Sequence, residues 1–177
     1  MKKSLTAFCF LIALCILFAS CGKTEKSDFL YFQNKYFSFE YPASWVLEEG
    51  TNNISVVGPD IDGYYVNTKI DYNSSISLTL EDFTDVVELQ NKVEELPDFI
   101  DGGITVIKIG NKDAKQRILQ TTVPSETGSQ TLYVTLTYVV IEPSLGIVIT
   151  TECPVSNYLE YEDELSTILS SINFGDW

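Results

Sequence analysis

Apolar and polar positions alternate with period two through most of this 177-residue chain and switch to helical spacing in two places. Alternation marks a strand with one buried face, whereas spacings of three and four mark an amphipathic helix. Tyr36-Phe37-Ser38-Phe39-Glu40-Tyr41 alternates up to Pro42 and predicts a strand running into a turn. Trp45-Val46-Leu47 predicts a second short strand, with Glu48-Glu49-Gly50 as its turn. Ile54-Ser55-Val56-Val57 predicts a third, closed by Gly58-Pro59. Residues 64–72 read as extended, and so do residues 75–78.

The period then changes. Thr79 is placed to cap a helix, with Asp82 at the third helical position reaching back to it. Leu80, Phe83, Val86, Val87, Val93 and Leu96 fall mostly on one side at helical spacing, and Pro97 ends the run. Alternation returns at residues 104–109, followed by a Gly110-Asn111-Lys112-Asp113 turn. Residues 117–123, 131–141 and 146–152 predict three antiparallel strands, connected by 124–129 and 142–144. A last helix is predicted over 158–172, with Tyr158, Tyr161, Leu165, Ile168, Leu169 and Ile172 as its apolar face. Consecutive strands on short turns with only two helices argue an α+β domain with an antiparallel β-sheet of about six to seven strands. Residues 136–141 are apolar on both strand faces, which predicts a central sheet covered on both sides.

The N-terminus follows another logic. Lys2 and Lys3 precede an apolar run over 5–18, interrupted only by Thr6, and the chain turns polar at once after Cys21. The run is short for a membrane span, which takes about 20 apolar residues, and has the length of a signal peptide's apolar core. Phe18-Ala19-Ser20-Cys21, followed by Gly22, resembles the lipobox of bacterial lipoproteins, with Phe18 where leucine is usual. The resemblance implies that residues 1–20 are removed and that Cys21 carries a diacylglycerol. One acyl chain holds a protein only reversibly, so stable anchoring takes two or more. Residues 21–28 then read as a flexible tether, and 29–177 as a single domain.

Removing residues 1–20 takes away Lys2 and Lys3 and no acid, leaving nine cationic and 25 acidic side chains, a net charge of −16. Such a chain is repelled by nucleic acid and by anionic lipid. Cys9 and Cys15 leave with the signal and Cys21 takes the lipid, so Cys153 alone remains and no intrachain disulfide is expected. The chain has no histidine, which excludes Ser-His-Asp and Cys-His nucleophiles and histidine-ligated zinc. Phosphate-cradling glycine motifs are missing as well. Carboxylate-only chemistry, such as glycoside hydrolysis by paired acids, survives these exclusions.

The strands carry a second resemblance. Phe37-Ser38-Phe39-Glu40-Tyr41-Pro42-Ala43-Ser44-Trp45 resembles the opening of PsbP-like domains, and Gly110-Asn111-Lys112-Asp113-Ala114 their central turn. Residues 138–151 resemble their long hairpin and 161–174 their closing helix. The resemblance implies an antiparallel sheet sandwiched by helices. It also implies a theme of docking to other proteins, shared by photosystem subunits, envelope lipoproteins and a yeast factor that binds a small GTPase.

Local candidates are few. Asp60-Ile61-Asp62-Gly63 places two carboxylates before a glycine, a partial cation site; a calcium loop would need glutamate at its twelfth position, where Asp71 stands. Tyr64 and Tyr65 are candidate docking aromatics, of which an extended strand exposes one. Tyr41, Pro42 and Trp45 read as a packed corner. Glu160, Glu162, Asp163 and Glu164 read as dipole-complementing acids early in the last helix. No catalytic residue, metal site or cofactor is expected. The expectation is a lipid-anchored, extracytoplasmic binding or accessory protein with an envelope protein as partner. The alternatives are a carboxylate-based envelope enzyme acting on glycans and a lipoprotein that binds a cation or small ligand.

Overall fold

A computed structural model describes residues 28–73, 79–125 and 128–175. The lipobox, the tether through Ser27 and the extended reading of 75–78 lie outside these residues.

Among the described residues, nine strands and two helices follow in chain order. The strands are β1 (Phe29–Gln33), β2 (Ser38–Pro42), β3 (Val46–Glu49), β4 (Asn53–Ile61) and β5 (Tyr64–Asn73). After helix α1 (Leu80–Asn91) come β6 (Ile100–Ile109), β7 (Lys112–Ser125), β8 (Gly128–Glu142) and β9 (Leu145–Pro154), then helix α2 (Tyr158–Ser171). Seven strands form one antiparallel sheet in the order β3-β4-β5-β9-β8-β7-β6, and β1 and β2 form a separate hairpin. This is the antiparallel α+β class that the pattern predicts and the sandwich that the PsbP-like resemblance implies, with its sheet at the upper end of the expected strand number.

The sheet is covered on both faces by different material. One face packs against the β1–β2 hairpin and α2 through Phe37, Phe39, Val56, Val66, Ile147, Ile149, Leu165 and Ile168. The other packs against α1 through Phe83, Val87, Tyr138 and Val148. Tyr138 and Val139, adjacent on β8, are both fully buried, as a strand buried on both faces requires.

Two differences from the sequence pattern have physical causes. Strand β1 is not predicted, because Phe29-Leu30-Tyr31-Phe32 is apolar throughout and shows no alternation; pairing with β2, with Phe32 opposite Phe39, makes it a strand. The first helix is shorter than its apolar run. The capping box forms as expected, with Thr79 accepting from the Asp82 backbone and Asp82 reaching back. The helix stops at Lys92, which takes a left-handed conformation (φ 50°), and a 3-10 turn over Val93–Glu95 follows. Val93 and Leu96 therefore pack with Leu119, Leu132 and Val134 in a separate cluster, while Val86 and Leu89 of the helix stay exposed.

Elsewhere the strands outrun their predicted ends. β4 continues through Gly58 and Pro59 by way of a bulge, and the backbone at Gly58 lies against the Trp45 ring, where a Cβ would come within 2.8 Å. The expected Tyr41-Pro42-Trp45 corner is present: the Trp45 backbone donates to the Pro42 carbonyl at 3.0 Å, and its ring meets Tyr161 edge-on at 6.4 Å. Among the described residues no helix is long and apolar enough to cross a membrane.

Candidate functional site: an aromatic cleft at one end of the sheet

A cleft with a volume of ≈ 420 Å³ lies where the β1–β2 loop meets the β3–β4 loop. Asn34 shapes its wall. The Asn34 Oδ1 accepts from the Tyr36 and Phe37 backbones at 2.8 and 3.0 Å, closing a local turn, and its Nδ2 donates to the Tyr72 hydroxyl at 2.7 Å. That turn sets the Tyr36 ring 5.8 Å from Tyr72 with 52° between their planes, and the Lys35 ammonium lies 4.4 Å from the centre of the Tyr36 ring. Asn52, Asn53 and Glu49 supply the polar floor, and the Asn52 carbonyl accepts from the Tyr72 backbone.

Burial raises the Tyr72 pKa, with further raising by Tyr36 and Glu49 and opposition from the Asn34 hydrogen bond. The phenol therefore keeps its proton at neutral pH. Since it already accepts from Asn34, its O–H is left to donate. The cleft thus offers two tilted aromatic faces, a cation, amide groups and a single carboxylate. That set suits polar recognition with aromatic contact. It does not provide the pair of carboxyls that glycoside hydrolysis uses.

The chain enters the fold at the opposite end of the first hairpin. Asp28 accepts from the Ala43 backbone at 2.7 Å, beside the Phe29–Pro42 pair, while Asn34 and Tyr36 lie in the loop beyond the Gln33–Ser38 pair. Five extended residues, roughly 16 Å, separate the two ends. The N-terminal segment therefore enters away from the cleft.

The residues singled out from sequence lie elsewhere. Asp60 Oδ1 accepts from the Gly63 backbone at 2.8 Å, and Asp62 and Gly63 occupy left-handed positions (φ 52° and 84°) of a two-residue hairpin turn. Positive φ at both central positions matches the twist of the flanking strands, so turn formation accounts for both acids. Among the described residues no group of three or more acidic or cysteine side chains is gathered to hold a metal ion. Tyr64 packs against the cluster of Val93, Leu119, Leu132 and Val134 and donates to Glu152 at 2.6 Å; burial and that carboxylate raise its pKa strongly. Tyr65 is 52% exposed. The Tyr64–Tyr65 pair thus divides as an extended strand predicts, and it does not join the cleft.

Cys153 is fully buried at the end of β9. Burial, with Glu160 adding to it, pushes its thiol up to about 11. Pattern reading passed over two features. The cleft is assembled from Tyr36 and Tyr72, far apart in the chain. The second feature is a buried polar cluster, in which Arg117 on β7 makes two hydrogen bonds to Glu88 on α1 and Tyr138 donates to the same carboxylate. Its one sequence signal is that Arg117 shares a strand face with Leu119 and Thr121, both buried.

No family model matches the chain, and no curated protein is similar to it in sequence. Solved structures share its fold. The cyanobacterial PsbP (CyanoP) of Synechocystis sp. PCC 6803 is 12% identical with a TM-score of 0.62, over 88% of this chain and 98% of that one. The Ran-binding protein Mog1p of Saccharomyces cerevisiae is 10% identical with a TM-score of 0.54, over 84% and 96%. LpqN of Mycobacterium tuberculosis, described as involved in cell envelope biogenesis, is 13% identical with a TM-score of 0.50, over 86% and 87%. At these identities the likeness is one of fold, and the fold is the PsbP-like one that the sequence motifs resemble.

Proposed function

We propose that this protein is a lipid-anchored accessory protein on the extracytoplasmic side of a bacterial membrane, which docks a protein partner and has no catalytic centre. The observation that carries the reading is the cleft: aromatic walls with Lys35, amides and one carboxylate, open at the end of the sheet away from where the chain enters. Interface cores are enriched in tyrosine and depleted in acids, and this cleft has that composition inside a strongly acidic chain. The fold is consistent with it, since Mog1p is a Ran-binding protein and LpqN is involved in cell envelope biogenesis. The anchor rests on Cys21 and the apolar run before it.

The test is site-specific photo-crosslinking in intact cells. A photoreactive residue at Tyr36 should yield one discrete protein adduct, and the same residue at Tyr65, exposed at the opposite end of β5, should not. Adducts at Tyr65 and none at Tyr36 would sink the cleft as the docking site. Turnover of a glycan by the purified protein would sink the non-catalytic reading.

A further inference from the structure

The two edges of the main sheet are built differently. Edge strand β3 is four residues long and ends in Glu48-Glu49, the short and charged edge that discourages pairing. Edge strand β6 is ten residues long, and Ile100, Ile104 and Val106 are exposed along it, Val106 by 72%. A long edge with exposed β-branched residues is a template for another strand.

The hairpin fixes which groups of β6 are free among the described residues. Gly110 and Asn111 form a two-residue turn closed by the Ile109–Lys112 pair, and β6–β7 pairing continues without a break to Ile104–Arg117. In such a hairpin the closing pair is hydrogen-bonded and pairs alternate from there. Thr105, Ile107 and Ile109 therefore direct their backbone groups to β7, and Ile104, Val106 and Lys108 direct theirs outward. The bulge between Asp101 and Ile104, with Gly103 at φ 91°, ends this regular segment on one side.

Charge selects the occupant. Glu94, Glu95, Asp98 and Asp101 lie before or at the start of β6, with Glu95 at 3.0 Å from Lys92 and Asp101 at 3.3 Å from Arg117, whereas Lys108 lies at its end and Lys112, which donates to the Ile141 carbonyl, begins β7. The strand thus runs from an acidic end to a basic one, and an antiparallel copy of itself brings each end against its opposite. Lys108 sits 3.5 Å from Asp113, but both are more than 70% exposed, so this pair is weak and exchangeable. In addition, Lys115 is paired with Glu81 and Arg117 with Glu88, so four of the nine cations of the mature chain lie on β6 and β7. For two copies carrying −16 each, this is a surface where approach meets little repulsion.

We propose that β6 pairs antiparallel with β6 of a second copy about a two-fold axis at Val106. Val106 then faces its counterpart, and Ile104 lies under the methylene stem of the other copy's Lys108. The outward backbone groups of Ile104, Val106 and Lys108 are all paired, and the sheet continues across both copies. This interface is independent of the cleft and of the anchor.

The experiment uses the full chain in membranes and after detergent extraction. Val106→Cys treated with a short bis-maleimide should give a covalent species of twice the mass, because facing hydrogen-bonded residues lie about 5.5 Å apart. Val46→Cys on the β3 edge should give none, and the unsubstituted chain, whose Cys153 is buried, reports any background. Light scattering of the extracted chain should show a dimer, and Val106→Lys, which opposes two ammonium groups at the axis, should weaken it about tenfold or more. Val106 is exposed, so an unchanged melting temperature separates this loss from misfolding. A monomeric wild-type chain, a dimer unaffected by Val106→Lys, equal crosslinking at Val46→Cys, or a Val106→Cys adduct only with a different protein would each overturn the proposal.

Discussion

Arg117 of β7 holds Glu88 of α1 in a two-pronged ion pair, Nε to Oε1 at 2.9 Å and Nη2 to Oε2 at 3.0 Å. The guanidinium side chain is 7% exposed and the carboxylate 15%, and Asp101 faces the remaining nitrogen at 3.3 Å. Tyr138, buried beneath, donates to Glu88 at 3.1 Å. The cluster therefore pins the helix to the sheet at one place and in one orientation.

Removing Glu88 leaves the buried Arg117 only the more exposed Asp101 and Glu94 as partners. Glu88→Leu alone should destabilise the fold by about 3 kcal/mol, since a buried charge that loses its partner is costly, whereas Arg117→Met with Glu88→Leu should lose much less. Urea denaturation of the four members of this cycle checks it. A double variant as unstable as the sum of the single ones would contradict it.

Stability should fall on the alkaline side. Burial and Glu160 raise the Cys153 thiol from near 9 to about 11, and burial together with Tyr133 and Glu162 raises the Tyr158 phenol from 10 to about 12. A folded-state pKa above the unfolded one stabilises the fold fully below the unfolded value and is lost as pH rises through the folded one. The loss should therefore begin near pH 9 and continue to about 12, and Cys153→Ala should remove its first part. Chemical denaturation across this range is the measurement, with a flat profile the result that refutes it.

The same burial predicts a silent thiol. At neutral pH Cys153 should react with thiol reagents only on unfolding, and Cys153→Ala should cost on the order of 1 kcal/mol. Rapid labelling of the native chain would identify an opening of the β9 end that the packing does not contain.

Gly146 of β9 lies under the Phe83 ring of α1, where an added Cβ would fall 2.5 Å from the ring. Gly146→Ala should cost about 1–3 kcal/mol by pushing the helix off the sheet, and Gly146→Ala with Phe83→Leu should recover part of it. Thermal melts of the two variants test the coupling.

Cys21→Ser should abolish lipid labelling and move the protein from the membrane to the soluble fraction. Folding should not change, because β1 begins at Phe29 and the described core contains no residue before it. Fractionation with a lipid label checks the first part and circular dichroism the second; wild-type protein recovered unlabelled in the soluble fraction would refute the anchor.

Local periodicity determined which segments are strands and helices, because each element's buried face is written at its own period. It gave the Thr79–Asp82 cap, the apolar stripe of α2 and the doubly buried β8, whose neighbours Tyr138 and Val139 pack on opposite faces. Composition excluded histidine chemistry and argued against nucleic-acid binding, since the first depends on residue type and the second on net charge. Tertiary structure decided what depends on approach between distant segments. Strand β1 exists through its pairing with β2, and Tyr36 and Tyr72 form a cleft because a loop brings them together. Asp60 and Asp62, two positions apart in sequence and suggestive of a cation, are taken up by a turn whose backbone N–H uses one and whose left-handed corner uses the other. Arg117 and Glu88 carry opposite charges on separate elements, and only the packing of α1 across β7 and β8 turns those charges into a buried pair. The free edge of β6 has the same origin: a strand's sequence specifies its two faces, while its position in the sheet specifies whether its backbone has a partner.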